Sequence, residues 1–200
     1  MDTTGVLKLS SGVRQEEPFL HVVIPDCMDA NLAESLLAWL ETEATWQFSA
    51  VDDFYQLMDI DLRGARLPAN LRILIERSFL EELRKAVERL LSAQLGSKID
   101  VTAHKMVPGC RVGIHTDYGS LGQTHRLLVH LNRGWKAENG GLLMFFDEEH
   151  PSGESRNLRC YSPHHRRAIG FEISPNSFHA VSRIVAGDRY ALCFSFYGDP

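Results

Sequence analysis

Residues 126–146 read RLLVHLNRGWKAENGGLLMFF, two short apolar runs divided by a polar stretch that holds Gly134, Gly140 and Gly141. Runs of this length, rich in Val, Leu and Phe and bounded by Gly and Asn, are strand-sized rather than helix-sized. The reading therefore predicts strands at 126–131 and 142–146. The same texture extends outward from this stretch. Residues 99–107, 157–161, 167–173, 178–184 and 190–197 are also expected strands, punctuated by Gly, Pro, Asn or Asp.

Upstream the pattern changes. A strand is expected at 19–24, ended by Pro25 and Asp26. Asp29 is the expected N-cap of a helix running to about Thr42, with Leu32, Leu36, Leu37 and Leu40 on one face. Residues 46–61 mix aromatic and acidic side chains without a clear period. Pro68 and Asn70 then open a second, longer helix. Along it Leu71, Leu74, Ile75, Leu83, Val87, Leu90 and Leu91 recur at helical spacing, and Gly96 is the expected stop. Helices first and many short strands afterwards predict a closed or sandwiched β-core with helices packed against one side.

A chain of 200 residues without internal repeats is of single-domain size and long enough to bury a core without disulfides. Residues 1–17 are expected to be flexible, 18–98 to form the first strand and supporting helices, and 99–198 to form the β-core. The net charge of -5 argues against a phosphate-tracking surface, so no nucleic-acid partner is expected. Cys27, Cys110, Cys160 and Cys193 are scattered, with no CxxC pair, as expected for reduced thiols in a cytoplasmic setting. The N-terminal stretch lacks the apolar segment of a secretory signal, and the longest apolar runs are far too short to span a bilayer.

The chemistry-bearing stretch is VGIHTD, residues 112–117. Two residues apart on an extended strand, His115 and Asp117 would project to the same side and reach one cation together. Taken alone, the pair is also what a strand end followed by an Asp-Tyr-Gly turn would produce. His179, at the start of a later strand, changes that balance. Two imidazoles and one carboxylate on one face of a metal leave the opposite face open, the arrangement of non-haem iron(II) oxygenases. Ten residues further on, Arg189 falls in an otherwise apolar strand. A buried guanidinium is costly unless it meets an anion, and its planar fork matches a carboxylate. An internal salt bridge would satisfy it equally well.

As an ordered set, His115-x-Asp117, His179 and Arg189 resemble the signature of the iron(II)/2-oxoglutarate oxygenase superfamily, most closely its prolyl-hydroxylase-like branch. LLVHLNRGW (127–135), GGLLMFF (140–146) and RYAL (189–192) are similar to further segments of that branch. The resemblance spans roughly residues 99–198. It implies a mainly β fold, a double-stranded β-helix of the jelly-roll or cupin-like kind with N-terminal α-helices. It also implies Fe(II) held by His115, Asp117 and His179, with 2-oxoglutarate bound through Arg189 and O2 as the oxidant. His130 stands where the branch often has a Tyr touching the cosubstrate, so it is a second cofactor-binding candidate. Ser195 stands where nucleic-acid demethylases of the superfamily carry a second Arg. Asp117 is present where radical halogenases have a small residue. Hydroxylation or a related oxidation is the implied reaction, with succinate and CO2 released.

Substrate choice is less legible. Tyr55, within the acid- and aromatic-rich segment 51–61, and Arg126 and Arg183, which flank the metal motifs, are the candidate substrate contacts. The long insertion 147–167, ending in His-His-Arg-Arg, is a candidate lid or an ordinary solvated surface. A small-molecule, amino-acid-like or peptidyl substrate is expected. The alternative is a non-catalytic cupin-like module that binds a metal or an anion.

Overall fold

The computed structural model describes all residues except 1, 4, 52–54, 120, 148–156 and 199–200. A short N-terminal pair, β1 (Asp2–Thr3) and β2 (Leu7–Lys8), precedes β3 (Val13–Gln15) and β4 (His21–Ile24). Helix α1 (Ala30–Thr42) follows, then a hairpin of β5 (Gln47–Val51) and β6 (Tyr55–Asp61). A 3-10 turn (Ala69–Ile75) leads into α2 (Arg77–Leu91) and the long β7 (Leu95–Met106). The remaining strands are β8 (Val112–His115), β9 (Gln123–His130), β10 (Leu143–Phe145), β11 (Arg159–Tyr161), β12 (Ala168–Glu172), β13 (His179–Val181) and β14 (Arg189–Gly198).

Apart from β1 and β2, these strands form one curled antiparallel sheet in the order β11-β10-β13-β8-β6-β7-β14-β9-β12-β4-β3, with β5 added to β6. Mainly β with packing helices, this is the expected jelly-roll fold. No described helix is long and apolar enough to cross a membrane.

Strand alternation divides β14 between two environments. Tyr190, Leu192, Phe194 and Phe196 point outward and are buried with Leu36, Leu37 and Leu40 of α1 and Phe79, Leu83 and Val87 of α2. Fully burying a side chain such as Phe79 or Phe194 contributes roughly 1.5–3 kcal/mol, and their rings meet at 6.1 Å. Arg189, Ala191, Cys193 and Ser195 point the other way, into a cavity. The helices thus buttress the outer face of the sheet whose inner face carries the chemistry.

Helix α1 begins as expected, with the Asp29 side chain accepting from Leu32 N at 3.0 Å. Elsewhere the structure corrects the sequence reading. Within residues 5–17, Leu7 and Leu9 are 0% and 1% exposed, and β3 pairs with β4. Val6, Leu7 and Leu9 are too few to establish a period, yet they join the helix-side core. The second helix does not run unbroken from Pro68, because Glu76 adopts an extended conformation between the 3-10 turn and α2. Ser92, in the left-handed region at φ 56°, caps α2. Gly96 lies instead within β7, where a Cβ would sit 2.9 Å from the Gly198 carbonyl oxygen. Segment 46–61 is a β-hairpin whose partial burial on both faces leaves no clean alternation. Residues 148–156 of the 147–167 insertion, and residues 52–54, lie outside the described residues.

Candidate metal centre

Two strands of the curled sheet and one loop bring the sequence-predicted ligands together. His115 ends β8 and His179 begins β13, and the register pairs them directly across the two strands. Their rings lie 4.2 Å apart, centroid to centroid. Asp117 lies beyond β8, not on it, with φ 60°. The expectation that His115 and Asp117 project from one extended strand is therefore corrected. A left-handed turn, which Asp tolerates better than most residues, swings the carboxylate back under both imidazoles.

The ligand atoms of His115, Asp117 and His179 all lie within 4.8 Å of one another. His115 Nδ1 is 2.9 Å from the Gly113 carbonyl oxygen, and His179 Nδ1 is 2.8 Å from that of Ser177. A carbonyl only accepts, so Nδ1 carries the proton in each ring and the Nε2 lone pair is left for a cation. Both Nε2 atoms face Asp117, at 3.5 Å from Oδ1 and 3.3 Å from Oδ2. Burial pushes the His179 imidazole below its ordinary pKa, which keeps that lone pair available at neutral pH. For Asp117 burial acts against ionisation. The two imidazoles and the Arg126 guanidinium outweigh it and hold the carboxyl well below the usual carboxylate range. The donor set is that of a metal with an open face, and the residues present fit iron(II).

The three candidate ligands line a cavity of about 330 Å³ between the two halves of the sheet. Arg189 lies at the β14 end of it, 3% exposed. Its Nε donates to the Gly141 carbonyl at 3.0 Å, and an Nη is 3.8 Å from Met106 Sδ. No carboxylate among the described residues pairs with it. Burial lowers its pKa to about 10, so it still carries its charge at neutral pH. A buried cation that lacks an internal counter-ion is suited to an anionic ligand. His130 is fully buried, both ring nitrogens lack a hydrogen-bond partner, and burial followed by the charge of Arg189 pushes its pKa well below the ordinary value. In register it flanks Ala191, two residues from Arg189.

The other sequence candidates separate. Tyr55 lines the cavity beside Val112, its phenol pushed up to about 12 by burial first and then by the Asp59 charge. Arg126 lines it too, but its guanidinium is engaged by Asp117 at 2.5 Å and Gln123 at 2.7 Å. Arg183 is not brought to the cavity: it is exposed and donates to the Gly109 carbonyl at 2.7 Å. Sequence reasoning missed Asp100, Thr102 and His104, which line the cavity from β7. Their signal was present as polar residues at alternate positions between apolar ones, the mark of a strand facing a wet interior.

Comparison with known proteins agrees with this geometry. The family model described as the 2OG-Fe(II) oxygenase superfamily matches residues 101–196. The chain is 25% identical over 186 residues to prolyl 3-hydroxylase OGFOD1 of Mus musculus, an alignment that covers 91% of this chain and 33% of that protein. It thus spans about a third of the length of that relative. A prolyl hydroxylase of Trichoplax adhaerens, solved with a hypoxia inducible factor oxygen degradation domain peptide fragment, superposes with a TM-score of 0.73 at 15% identity, covering 88% of this chain and 83% of that one. A Pseudomonas putida prolyl-4-hydroxylase gives 0.70 at 15% identity, covering 88% and 92%. At these identities the structural likeness is one of fold. Over residues 101–196 the chain is similar to the 2OG-Fe(II) oxygenase superfamily, a family whose chemistry uses iron(II), 2-oxoglutarate and dioxygen.

Proposed function

We propose that this protein hydroxylates an unactivated C–H bond of a peptidyl, amino-acid-like or other small substrate, consuming 2-oxoglutarate and O2 and releasing succinate and CO2. The observation that carries the reading is one cavity with a His-Asp-His triad on its wall and the carboxylate-free guanidinium of Arg189 at its end. Iron(II) and 2-oxoglutarate, when bound, supply the oxidising chemistry by coupling reduction of dioxygen to decarboxylation of the cosubstrate.

The chain's own residues supply placement. His115 and His179 present Nε2, oriented by their Nδ1–carbonyl bonds, and Asp117 presents a carboxylate oxygen. Arg189 would bind the distal carboxylate of 2-oxoglutarate through its guanidinium, and His130, paired with Ala191 on the neighbouring strand, would donate to the same group. Apolar walls from Leu57, Val112, Leu128 and Leu143 keep bulk water from the reacting centre. Tyr55, at the β6 wall, is the candidate substrate contact. Likeness in fold to prolyl hydroxylases favours a prolyl or similar peptidyl target, and four free cysteines, three of them buried, fit a reducing cytoplasmic compartment.

The test is anaerobic addition of iron(II) and then 2-oxoglutarate, followed by exposure to O2 with proline-containing peptides and amino acids. The reading expects a visible metal-to-ligand charge-transfer band, lost in Asp117→Ala, and a mass gain of one oxygen in a substrate. A band without succinate under any condition would favour a non-catalytic metal- and anion-binding module.

A further inference from the structure

Two of the three ligands sit on strands and have a fixed ring orientation, and the third lies off the sheet. His115 Nδ1 is tied to the Gly113 carbonyl within β8, and His179 Nδ1 to the Ser177 carbonyl in the segment just before β13. Asp117 sits past the strand end at φ 60°, followed by an exposed turn that contains Tyr118 and Gly119. Sheet pairing therefore does not determine where its carboxylate points.

The restraint comes from β9. Arg126 donates from one Nη to Asp117 Oδ2 at 2.5 Å and from the other to Gln123 Oε1 at 2.7 Å. The guanidinium is thus clamped between a residue of its own strand and the ligand. Ser195, directly opposite Arg126 in the register of β14 and also facing the cavity, leaves room for the large side chain.

We propose that Arg126, braced by Gln123, is a positioning residue that holds Asp117 in its metal-binding orientation. This rests on the triad being the metal centre. Two effects of opposite sign meet here. By charge alone, a guanidinium so near the ligand repels a divalent cation, and its removal would tighten metal binding. By positioning, its removal takes away a hydrogen bond that orients a ligand beyond the end of β8 and weakens binding, roughly tenfold to a hundredfold for an outer partner of a metal ligand. The left-handed, off-strand setting of Asp117 makes positioning the larger effect.

The sign is therefore the measurement. Co(II), a spectroscopic stand-in for iron(II), is titrated anaerobically without cosubstrate into wild type, Arg126→Met, Arg126→Lys and Gln123→Leu, with folding checked by near-ultraviolet circular dichroism. The expected result is Co(II) affinity weakened about tenfold or more in Arg126→Met, with a changed d–d spectrum. Arg126→Lys, which retains a donor but no fork, should recover part of both. Gln123→Leu shifts both in the direction of Arg126→Met and keeps the proposal testable if that variant fails to fold. Wild-type affinity or tighter binding with an unaltered spectrum in the Arg126 and Gln123 variants overturns the proposal and leaves the triad intact. A wild-type protein that binds no Co(II) overturns the metal centre itself, and this role with it.

Discussion

Arg189 Nε donates to the carbonyl oxygen of Gly141 at 3.0 Å, and the Cδ of the same side chain passes 2.9 Å from where a Cβ on Gly141 would be. The glycine both anchors the arginine and makes room for it. Its φ of +66° and the 2.6 Å approach of Ile184 Cδ1 to the same point leave no space for a methyl group.

Gly141→Ala is accordingly expected to lower stability by about 1–3 kcal/mol, the cost of a left-handed non-glycine residue with steric crowding added. It should also displace Arg189 and weaken 2-oxoglutarate binding. Urea unfolding together with anaerobic cosubstrate titration measures both. A variant with wild-type cosubstrate affinity would show that the Gly141 turn does not position Arg189.

Arg189→Met should separate function from stability. Removing a buried cation that lacks an internal counter-ion relieves a desolvation cost, so the Tm of the ligand-free protein is expected to stay level or rise. Cosubstrate affinity should fall by about 2–5 kcal/mol, the loss typical of truncating one partner of a buried charge pair. A fall in Tm with unchanged affinity would assign Arg189 to the core instead of the cosubstrate.

His130 carries two buried nitrogens without partners. His130→Leu should therefore leave the apo protein as stable as wild type or more so, since it removes an unsatisfied polar group. If the ring donates to bound 2-oxoglutarate, the same variant weakens the cosubstrate by about 0.5–1.5 kcal/mol, one hydrogen bond's worth. Isothermal titration of the metal-loaded protein decides whether that bond exists.

Stability should fall as the medium is acidified below about pH 6.5. His21 and His130 are both fully buried, and burial is the leading cause that lowers the pKa of each from the ordinary 6.5. The folded state binds their protons less readily than the unfolded chain, so protonation favours unfolding. Their contribution is fully present above the unfolded value. It declines as pH falls through 6.5, by up to about 1.4 kcal/mol per imidazole per pH unit until the folded pKa is reached. Thermal melts between pH 7.5 and 5.5 should show it. His21→Phe, which keeps an aromatic ring against Phe145 and loses the 2.5 Å contact to the Tyr161 hydroxyl, should flatten part of the slope.

The sequence by itself determined the β-rich second half and the first helix with its Asp29 cap, and it marked His115, Asp117, His179 and Arg189 as the candidate site. These signals are local: a period of two or of 3.6, a capping residue, and unusual side chains in apolar strands. Tertiary structure alone decided the rest. It buried Leu7 and Leu9, set Gly96 against the Gly198 carbonyl, and turned Arg183 to solvent while Arg126 met Asp117. Each of those outcomes depends on which strands pair and in what register. Strand pairing joins residues far apart in the chain, and no short window of sequence records their distance.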